Sequence, residues 1–110
     1  MKLAVFGSRN LDNIKIDDYI PEGIEEIVSG GARGIDTLAK DLAQRRGLKI
    51  TEFLPKYNLY GRYAPIKRNE EIAEYADEGI AFWDGKSKGT EYTIKRFEKL
   101  GKRVKVIIKD

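Results

Sequence analysis

The chain has 110 residues, of which 41% are hydrophobic and 35% charged, and its formal net charge is +3. This length predicts a single domain over residues 1–110, because two separate cores would each be too small to fold alone. The sequence contains no Cys and no His, which excludes disulfides, thiolate nucleophiles and Ser-His-Asp catalysis. No apolar run is long enough to cross a bilayer and no secretory leader precedes the first one. We therefore expect a cytoplasmic protein with no membrane partner.

The charge is unevenly distributed along the chain. Residues 1–85 carry 12 Lys and Arg against 15 Asp and Glu, a net charge of −3, whereas residues 86–110 carry 9 against 3, a net charge of +6. A basic C-terminal quarter favours anionic partners such as nucleic acid or nucleotide phosphates. A solvated lysine-rich helix face beside an edge strand explains most of these lysines equally well.

The first half of the chain alternates short apolar runs with one amphipathic segment. Strands are predicted over residues 2–6 and 26–29, separated by a short helical turn around residues 14–20. Apolar residues then recur at helical spacing from Ile35 to Ala43, and Gly47 is expected to end that helix. A third strand is predicted over residues 48–54.

The second half continues the same alternation. A tyrosine-rich loop leads to Pro65, which is suited to the first position of a helix predicted over residues 66–76. A fourth strand is predicted over residues 79–83 and a fifth over residues 103–108. The helix between them, over residues 90–100, is expected to bury Ile94, Phe97 and Leu100.

Five parallel strands joined by right-handed crossovers predict an α/β fold with a Rossmann-like, doubly wound sheet. We expect the strand order 3-2-1-4-5, with helices on both faces. In such sheets ligands bind outside the carboxyl ends of the strands, where the winding direction reverses. The sequence therefore places the functional site between the first and fourth strands.

Glycine-containing polar segments follow the first, second and fourth predicted strands. They are Gly7-Ser8-Arg9, Ser29-Gly30-Gly31-Ala32-Arg33-Gly34-Ile35-Asp36 and Trp83-Asp84-Gly85-Lys86-Ser87-Lys88-Gly89-Thr90. Glycine lets a ligand approach the backbone closely, and the N-terminus of a helix offers unpaired N–H groups to an anion. Strand-to-helix turns also use glycine for conformational reasons alone. Three such segments converging on one sheet edge nevertheless indicate a phosphate-bearing ligand.

The established phosphate motifs are absent from these segments. The first strand is not followed by G-x-G-x-x-G, and the second ends in Ser29 rather than in the acidic residue that binds ribose in dinucleotide enzymes. Gly85-Lys86-Ser87 resembles the end of a P-loop, but Gly79 lies one residue too far upstream. We therefore expect neither NAD nor ATP chemistry, and no cofactor or metal.

The same segments resemble the SLOG superfamily, which includes the Lonely Guy phosphoribohydrolases and DNA-processing protein A. The resemblance covers residues 3–107, and the nearest branch is the small stand-alone proteins related to YspA and YpsA. The segments that carry it are those after the three strands, together with Arg68-Asn69 and Ala76-Asp77. It implies a Rossmann-like fold, a nucleotide or nucleotide-derived ligand at the sheet's switch point and, as in relatives, a homodimer or higher homo-oligomer.

One departure from the Lonely Guy pattern bears on catalysis. These enzymes resemble P-G-G-x-G-T-x-x-E after the fourth strand, and the final Glu acts on the ribosyl centre. Here Thr93 occupies that position, and Glu91 lies two residues earlier, roughly 200° away around a helix. Without that carboxylate the oxocarbenium-like transition state loses its stabilisation. We therefore name no catalytic residue.

Several candidate side chains have a structural alternative. Arg9 is expected to bind phosphate with its guanidinium, whereas Arg33 is as well suited to a surface salt bridge. Asp36 is suited to its position in the first turn of a helix and, secondarily, to a ribose hydroxyl. Arg68 is a ligand candidate, and Asn69 is expected to reach a buried partner or the ligand.

The remaining candidates lie in the tyrosine-rich loop and at the end of the fourth strand. Tyr57, Tyr60 and Tyr63 are suited either to stacking a nucleobase or to covering a sheet edge or dimer interface. Trp83 is suited to packing, and Asp84 to a ribose, although a lone carboxylate makes a poor Mg²⁺ site. The predicted ligand-binding residues are Gly7, Ser8, Arg9, Ser29, Gly30, Gly31, Arg33, Asp36, Arg68, Asn69, Trp83, Asp84, Gly85, Ser87, Lys88, Gly89 and Thr90.

Three functions remain open from the sequence. The first is binding of a nucleotide-derived ligand by a sensor, carrier or sequestering protein, which needs an anion site but no positioned carboxylate. The second is a phosphoribohydrolase with a rearranged carboxylate drawn from Glu91, Asp84 or Asp36. The third is single-stranded nucleic-acid binding, which the basic C-terminal quarter and the loop tyrosines favour.

Overall fold

Strands and helices alternate along the chain in the computed structural model, which describes residues 1–109. The strands are β1 (Lys2–Gly7), β2 (Glu26–Ser29), β3 (Lys49–Glu52), β4 (Glu78–Trp83) and β5 (Val104–Ile108). The α-helices are α1 (Ile35–Arg46), α2 (Tyr57–Tyr60), α3 (Ala64–Tyr75) and α4 (Lys88–Lys99). Short 3-10 turns cover Ile16–Tyr19 and Gly61–Tyr63. Within residues 1–109, no helix combines the length and apolar character needed to cross a bilayer.

The five strands form one sheet in the order β3-β2-β1-β4-β5, and every neighbouring pair is parallel. This confirms the predicted α/β fold and strand order. β1 lies at the centre, with Leu3 opposite Ile27 of β2 on one side and Glu78 of β4 on the other. Because all strands run in the same direction, the carboxyl ends of β1, β2 and β4 meet at one edge.

Helices cover both faces of the sheet, as alternating side chains of β1 require. Leu3 and Val5 belong to a core cluster with residues of α1. Ala4 and Phe6 belong to a second cluster with residues of α3 and α4. The ring of Phe6 stacks on that of Phe97, with centroids 5.7 Å apart. The central strand β1 therefore lies between two apolar layers.

β3 is shorter than predicted, whereas α1 ends where predicted. The third strand was predicted over residues 48–54 but spans only Lys49–Glu52, because its pairing ends with the four residues of β2 beside it. The prediction that Gly47 ends α1 is confirmed. Gly47 adopts a left-handed conformation, with φ 68°, and its N–H group bonds the last turn of the helix.

Four further predictions are wrong in the second half of the chain. Residues 57–63 form two short helical turns rather than a plain loop, and α3 begins at Ala64, which places Pro65 at the second helical position. α4 begins at Lys88, two residues before its predicted start, and the residue before it, Ser87, has an extended backbone. Leu100 follows the last turn of α4 and is 39% exposed rather than buried.

Candidate functional site

A cleft of about 510 Å³ lies at the carboxyl ends of β1 and β4, between the N-termini of α1 and α4 and one side of α3. This is the sheet edge at which ligands bind in doubly wound folds, and the volume of the cleft is typical of small-molecule sites. The predicted residues that line it are Gly7, Ser8, Arg9, Gly30, Asp36, Arg68, Asn69, Asp84, Ser87, Lys88, Gly89 and Thr90. Residues separated by up to 83 positions in sequence thus meet in one cleft.

The other five predicted residues lie outside the cleft lining. The Ser29 hydroxyl accepts a hydrogen bond from the Gly31 N–H at 3.4 Å, and the Trp83 indole N–H donates to the Ser87 carbonyl at 3.0 Å. Arg33 is exposed, and Gly85 serves the turn with a φ of 80°. These residues shape or flank the turns around the cleft.

Sequence reasoning also missed part of the lining. The missed residues are Phe6, Asn10, Ala32, Pro65, Ile72 and Thr93. Three of them, Phe6, Asn10 and Ala32, are direct sequence neighbours of predicted residues, so including the neighbours of each predicted residue would have found them. Ile72 follows Arg68 by one helical turn, which is a periodicity signal.

The turn between β4 and α4 is held by the carboxylate of Asp84. It accepts hydrogen bonds from the N–H groups of Lys86 and Ser87, both at 2.8 Å, and from the Ser87 hydroxyl at 3.1 Å. The bond from the Lys86 N–H, followed by that from Ser87, lowers the pKa of Asp84 to about 2. The Asp84 N–H in turn donates to the Ser8 hydroxyl at 3.1 Å. Asp84 is therefore an ionised structural group that ties this turn to β1.

This arrangement leaves the N-terminus of α4 without a side-chain cap. Ser87 is the N-cap residue, but its hydroxyl bonds Asp84 rather than the helix. The first N–H of the helix with an intrahelical acceptor is that of Glu91, which donates to the Ser87 carbonyl at 3.1 Å. Lys88, Gly89 and Thr90 line the cleft, and their N–H groups precede that first bond. Such a helix end carries partial positive charge and binds anions.

In the turn between β2 and α1, a carboxylate of the protein itself accepts a backbone N–H group, although the glycines of this turn predicted a second anion site. The Ala32 N–H donates to the Asp36 carboxylate at 3.1 Å, and the Gly31 N–H is directed to Ser29. Burial raises the pKa of Asp36, while the Ala32 N–H and the charge of Arg68 act in the opposite sense. The carboxylate of Asp36 thus occupies one donor that a phosphate would need. The N-terminus of α1, like that of α4, has no side-chain cap, but the negative charge of Asp36 lies in its first turn.

Arg68 connects α3 to the opposite side of the cleft. Its Nη1 donates to the Gly30 carbonyl at 2.7 Å and its Nε to the Asn69 side-chain oxygen at 2.8 Å. Only 7% of the residue is exposed. Burial lowers the pKa of Arg68, and the carboxylate of Asp36 opposes that shift. Arg68 is therefore both a cation beside the cleft and a structural link.

Gly30 lies directly against the guanidinium of Arg68. A Cβ atom on Gly30 would lie 2.6 Å from Nη1 of Arg68, well inside normal packing distance. By contrast, a Cβ on Gly89 would meet nothing nearer than the Asn69 amide nitrogen at 3.8 Å. The first glycine makes room for the arginine, whereas the second borders open cleft.

Thr93 occupies the position of the glutamate in the Lonely Guy pattern, and the nearby Glu91 does not reach the cleft. Thr93 lines the cleft but its hydroxyl donates to the Gly89 carbonyl at 2.9 Å. The side chain of Glu91 is 38% exposed, lies outside the lining and pairs with Lys95 at 4.0 Å. Of the three carboxylates considered for a rearranged hydrolase site, Asp36 alone is buried beside the cleft.

No protein-family model, curated protein or solved structure matches this chain. What the cleft can hold follows from its own chemistry. It combines an uncapped helix N-terminus, the cationic side chains of Arg9, Arg68 and Lys88, and one buried carboxylate at Asp36. This set of groups suits a small ligand that carries an anionic group together with a hydrogen-bond donor.

Proposed function

We propose that this chain binds a nucleotide-derived ligand, holding its phosphate at the N-terminus of α4, and that it acts as a sensor, carrier or sequestering protein. The observation that carries the proposal is the uncapped first turn of α4, whose residues Lys88, Gly89 and Thr90 line the cleft. Donors that no side chain occupies, in a cleft flanked by arginines, favour a phosphate oxyanion.

The other groups of the cleft support a polar, hydroxylated body for the ligand. Asp36 is a hydrogen-bond acceptor beside the cleft, which suits a ribose hydroxyl, and the amide group of Asn69 also lines the wall. Phe6 and Ile72 add apolar surface. A phosphorylated sugar bearing a base matches this mixture better than a bare inorganic anion does.

Binding is favoured over hydrolysis by the positions of the carboxylates. The oxygens of Asp84 are engaged by the β4–α4 turn, and Glu91 pairs with Lys95 outside the lining. Asp36 is directed to the backbone of its own turn. Release of free base from a nucleoside monophosphate by the purified protein would reverse this preference.

Membership of the SLOG superfamily, a homodimeric state and a cytoplasmic location are part of the same proposal. Exposed apolar side chains such as Leu54 and Leu59, which are 59% and 65% exposed, supply surface that a second copy would cover. A chain without cysteine needs no oxidising compartment to fold.

A proline substitution tests the anion site directly. Lys88 is the first residue of α4, and Ser87 before it is extended, with φ −62° and ψ 119°. Proline is accepted at this helical position and after an extended residue. Lys88→Pro removes one N–H together with the lysine side chain, whereas Lys88→Ala removes the side chain alone. We expect Lys88→Pro to bind AMP about tenfold more weakly than Lys88→Ala does, measured by calorimetry.

Arginine and lysine variants complete the experiment. Arg9 is exposed at the cleft, so Arg9→Ala should weaken AMP binding about ten- to a hundredfold without unfolding the protein. Lys99→Ala and Lys105→Ala are matched controls on the basic C-terminal quarter and should leave the affinity unchanged. Loss of affinity in the lysine variants instead would remove the ligand from this cleft and favour nucleic-acid binding. Mass spectrometry of small molecules released from the purified protein would identify the natural ligand.

A further inference from the structure

Arg68 determines which end of the Asn69 amide group is available to the cleft. Both residues belong to α3 and line the cleft, and Nε of Arg68 donates to the side-chain oxygen of Asn69 at 2.8 Å. A guanidinium can only donate hydrogen bonds, so the oxygen of the amide has to face it. The arginine is held in turn by the bond from its Nη1 to the Gly30 carbonyl at 2.7 Å. The amide nitrogen of Asn69 is therefore directed away from Arg68.

That amide nitrogen lies next to the N-terminus of α4. A Cβ atom on Gly89 would have Nδ2 of Asn69 as its nearest neighbour, at 3.8 Å. Gly89 is the second residue of α4, and its N–H group precedes the first intrahelical bond. The bond from Arg68 is the one hydrogen bond that the Asn69 side chain makes among residues 1–109, which leaves its amide N–H groups without an acceptor. Donors of α3 and α4 thus border the same part of the cleft.

Thr90 adds another polar group without a protein partner at this helix end. It is 6% exposed and lines the cleft. The hydroxyl of Thr93 donates to the Gly89 carbonyl, whereas that of Thr90 bonds no group among residues 1–109. Nε of Arg96 is the one fully enclosed side-chain atom of that range that lacks a partner, so the Thr90 hydroxyl is open to the cleft. Because buried polar groups are normally hydrogen-bonded, this arrangement indicates a ligand that supplies acceptors.

The charges of the cleft favour an acceptor that is also an anion. Arg9, Arg68 and Lys88 contribute three cations to the lining, and Asp36 and Asp84 contribute two carboxylates. Both carboxylates already accept backbone N–H groups of their own turns. An oxyanion accepts stronger hydrogen bonds than a neutral oxygen does.

We propose that Asn69 is a specificity-determining residue, through which the cleft takes the phosphorylated form of its ligand in preference to the unphosphorylated form. Its amide nitrogen donates to a phosphate oxygen from α3, beside the backbone donors of α4. A neutral hydroxyl in place of the phosphate would accept a weaker bond. This inference deepens the proposed function and rests on it, since it assumes that the phosphate lies at the N-terminus of α4.

Asn69→Asp tests this role with almost no change in shape. One carboxylate oxygen still accepts from Nε of Arg68, while the other replaces the amide donor by a negative charge. We expect AMP to bind about a hundredfold more weakly, because a bond to a charged group is lost and a repulsion is added. Adenosine, which lacks the phosphate, should bind no more weakly than it binds the parent. Calorimetry for AMP and NMR titration for adenosine measure the two affinities.

The stability of the same variant separates ligand contact from support of the fold. The added charge lies near the N-terminus of α4, where a carboxylate is stabilising, so the thermal midpoint of Asn69→Asp should not fall. If this variant does not fold, Asn69→Ala removes the donor without adding a charge, and it should bind AMP about tenfold more weakly. Asn58→Asp is the matched control, because it makes the same change of charge at an exposed position outside the cleft lining. It should bind AMP as the parent does.

The outcomes distinguish this role from the proposed function. If the parent binds AMP no better than adenosine, or binds neither, the phosphate site and the role of Asn69 fail together. If the parent prefers AMP but Asn69→Asp binds it as Asn58→Asp does, only the role of Asn69 fails. A parallel loss of adenosine and of stability in the Asn69 variants would likewise overturn it, because that pattern marks a residue that supports the fold.

Discussion

Replacing Arg68 with methionine should destabilise the protein even when no ligand is present. The change removes the hydrogen bond from Nη1 to the buried Gly30 carbonyl and that from Nε to Asn69, while methionine preserves much of the aliphatic volume. Hydrogen bonds from a charged donor contribute about 1.5–3 kcal/mol each, and the cost of burying the guanidinium offsets part of their sum. We therefore expect the free energy of unfolding to fall by about 2–4 kcal/mol.

Urea denaturation measures this change. With a slope of about 2 kcal/mol per molar urea, the midpoint of Arg68→Met should fall by about 1–2 M. Arg62→Met is the control, because Arg62 is exposed and its side chain makes a long hydrogen bond of 3.4 Å to the hydroxyl of its neighbour Tyr63. A loss below about 0.5 kcal/mol in Arg68→Met, within the usual range of surface substitutions, would refute the structural role.

Three other outcomes follow from the structure. Lys102→Met should lower the thermal midpoint, because the ammonium group donates to three carbonyls near the end of α3 at 2.7 to 2.8 Å; an unchanged midpoint in calorimetric scans would contradict this. Because the pKa of Asp84 is lowered, its ionised carboxylate stabilises the fold at pH values above the ordinary pKa of 3.8. This stabilisation is lost as the pH falls towards about 2. Asp84→Asn should thus be less stable than the parent at pH 6 and equal to it near pH 2, in parallel denaturation series; a difference that persists at pH 2 would count against the assignment. Light scattering at micromolar concentration should show a species larger than 12.5 kDa, and a monomer alone would exclude self-association.

The fold was predictable because its signals are local and repeated. Apolar runs bounded by glycine and proline predict each strand, and helical periodicity predicts α1, α3 and α4. Right-handed crossovers then leave few topologies, so the strand order and the edge that carries the cleft follow from general rules. Boundaries were less predictable, as β3 illustrates. Its length depends on how far its neighbour β2 extends, which is information from another part of the chain.

The sequence by itself determined that glycine-rich turns, arginines and a helix N-terminus meet at one sheet edge. Only the tertiary structure decided which side chains bond the backbone groups of those turns. The hydroxyl of Ser87 is drawn to Asp84, which leaves the N-terminus of α4 uncapped, whereas Asp36 bonds the backbone of its own turn. Arg68 reaches Gly30, 38 positions away in sequence. In each of these contacts, several groups could have bonded the same donor or acceptor, and only one does. The outcome depends on which groups are brought within about 3 Å, and residue spacing does not encode that distance.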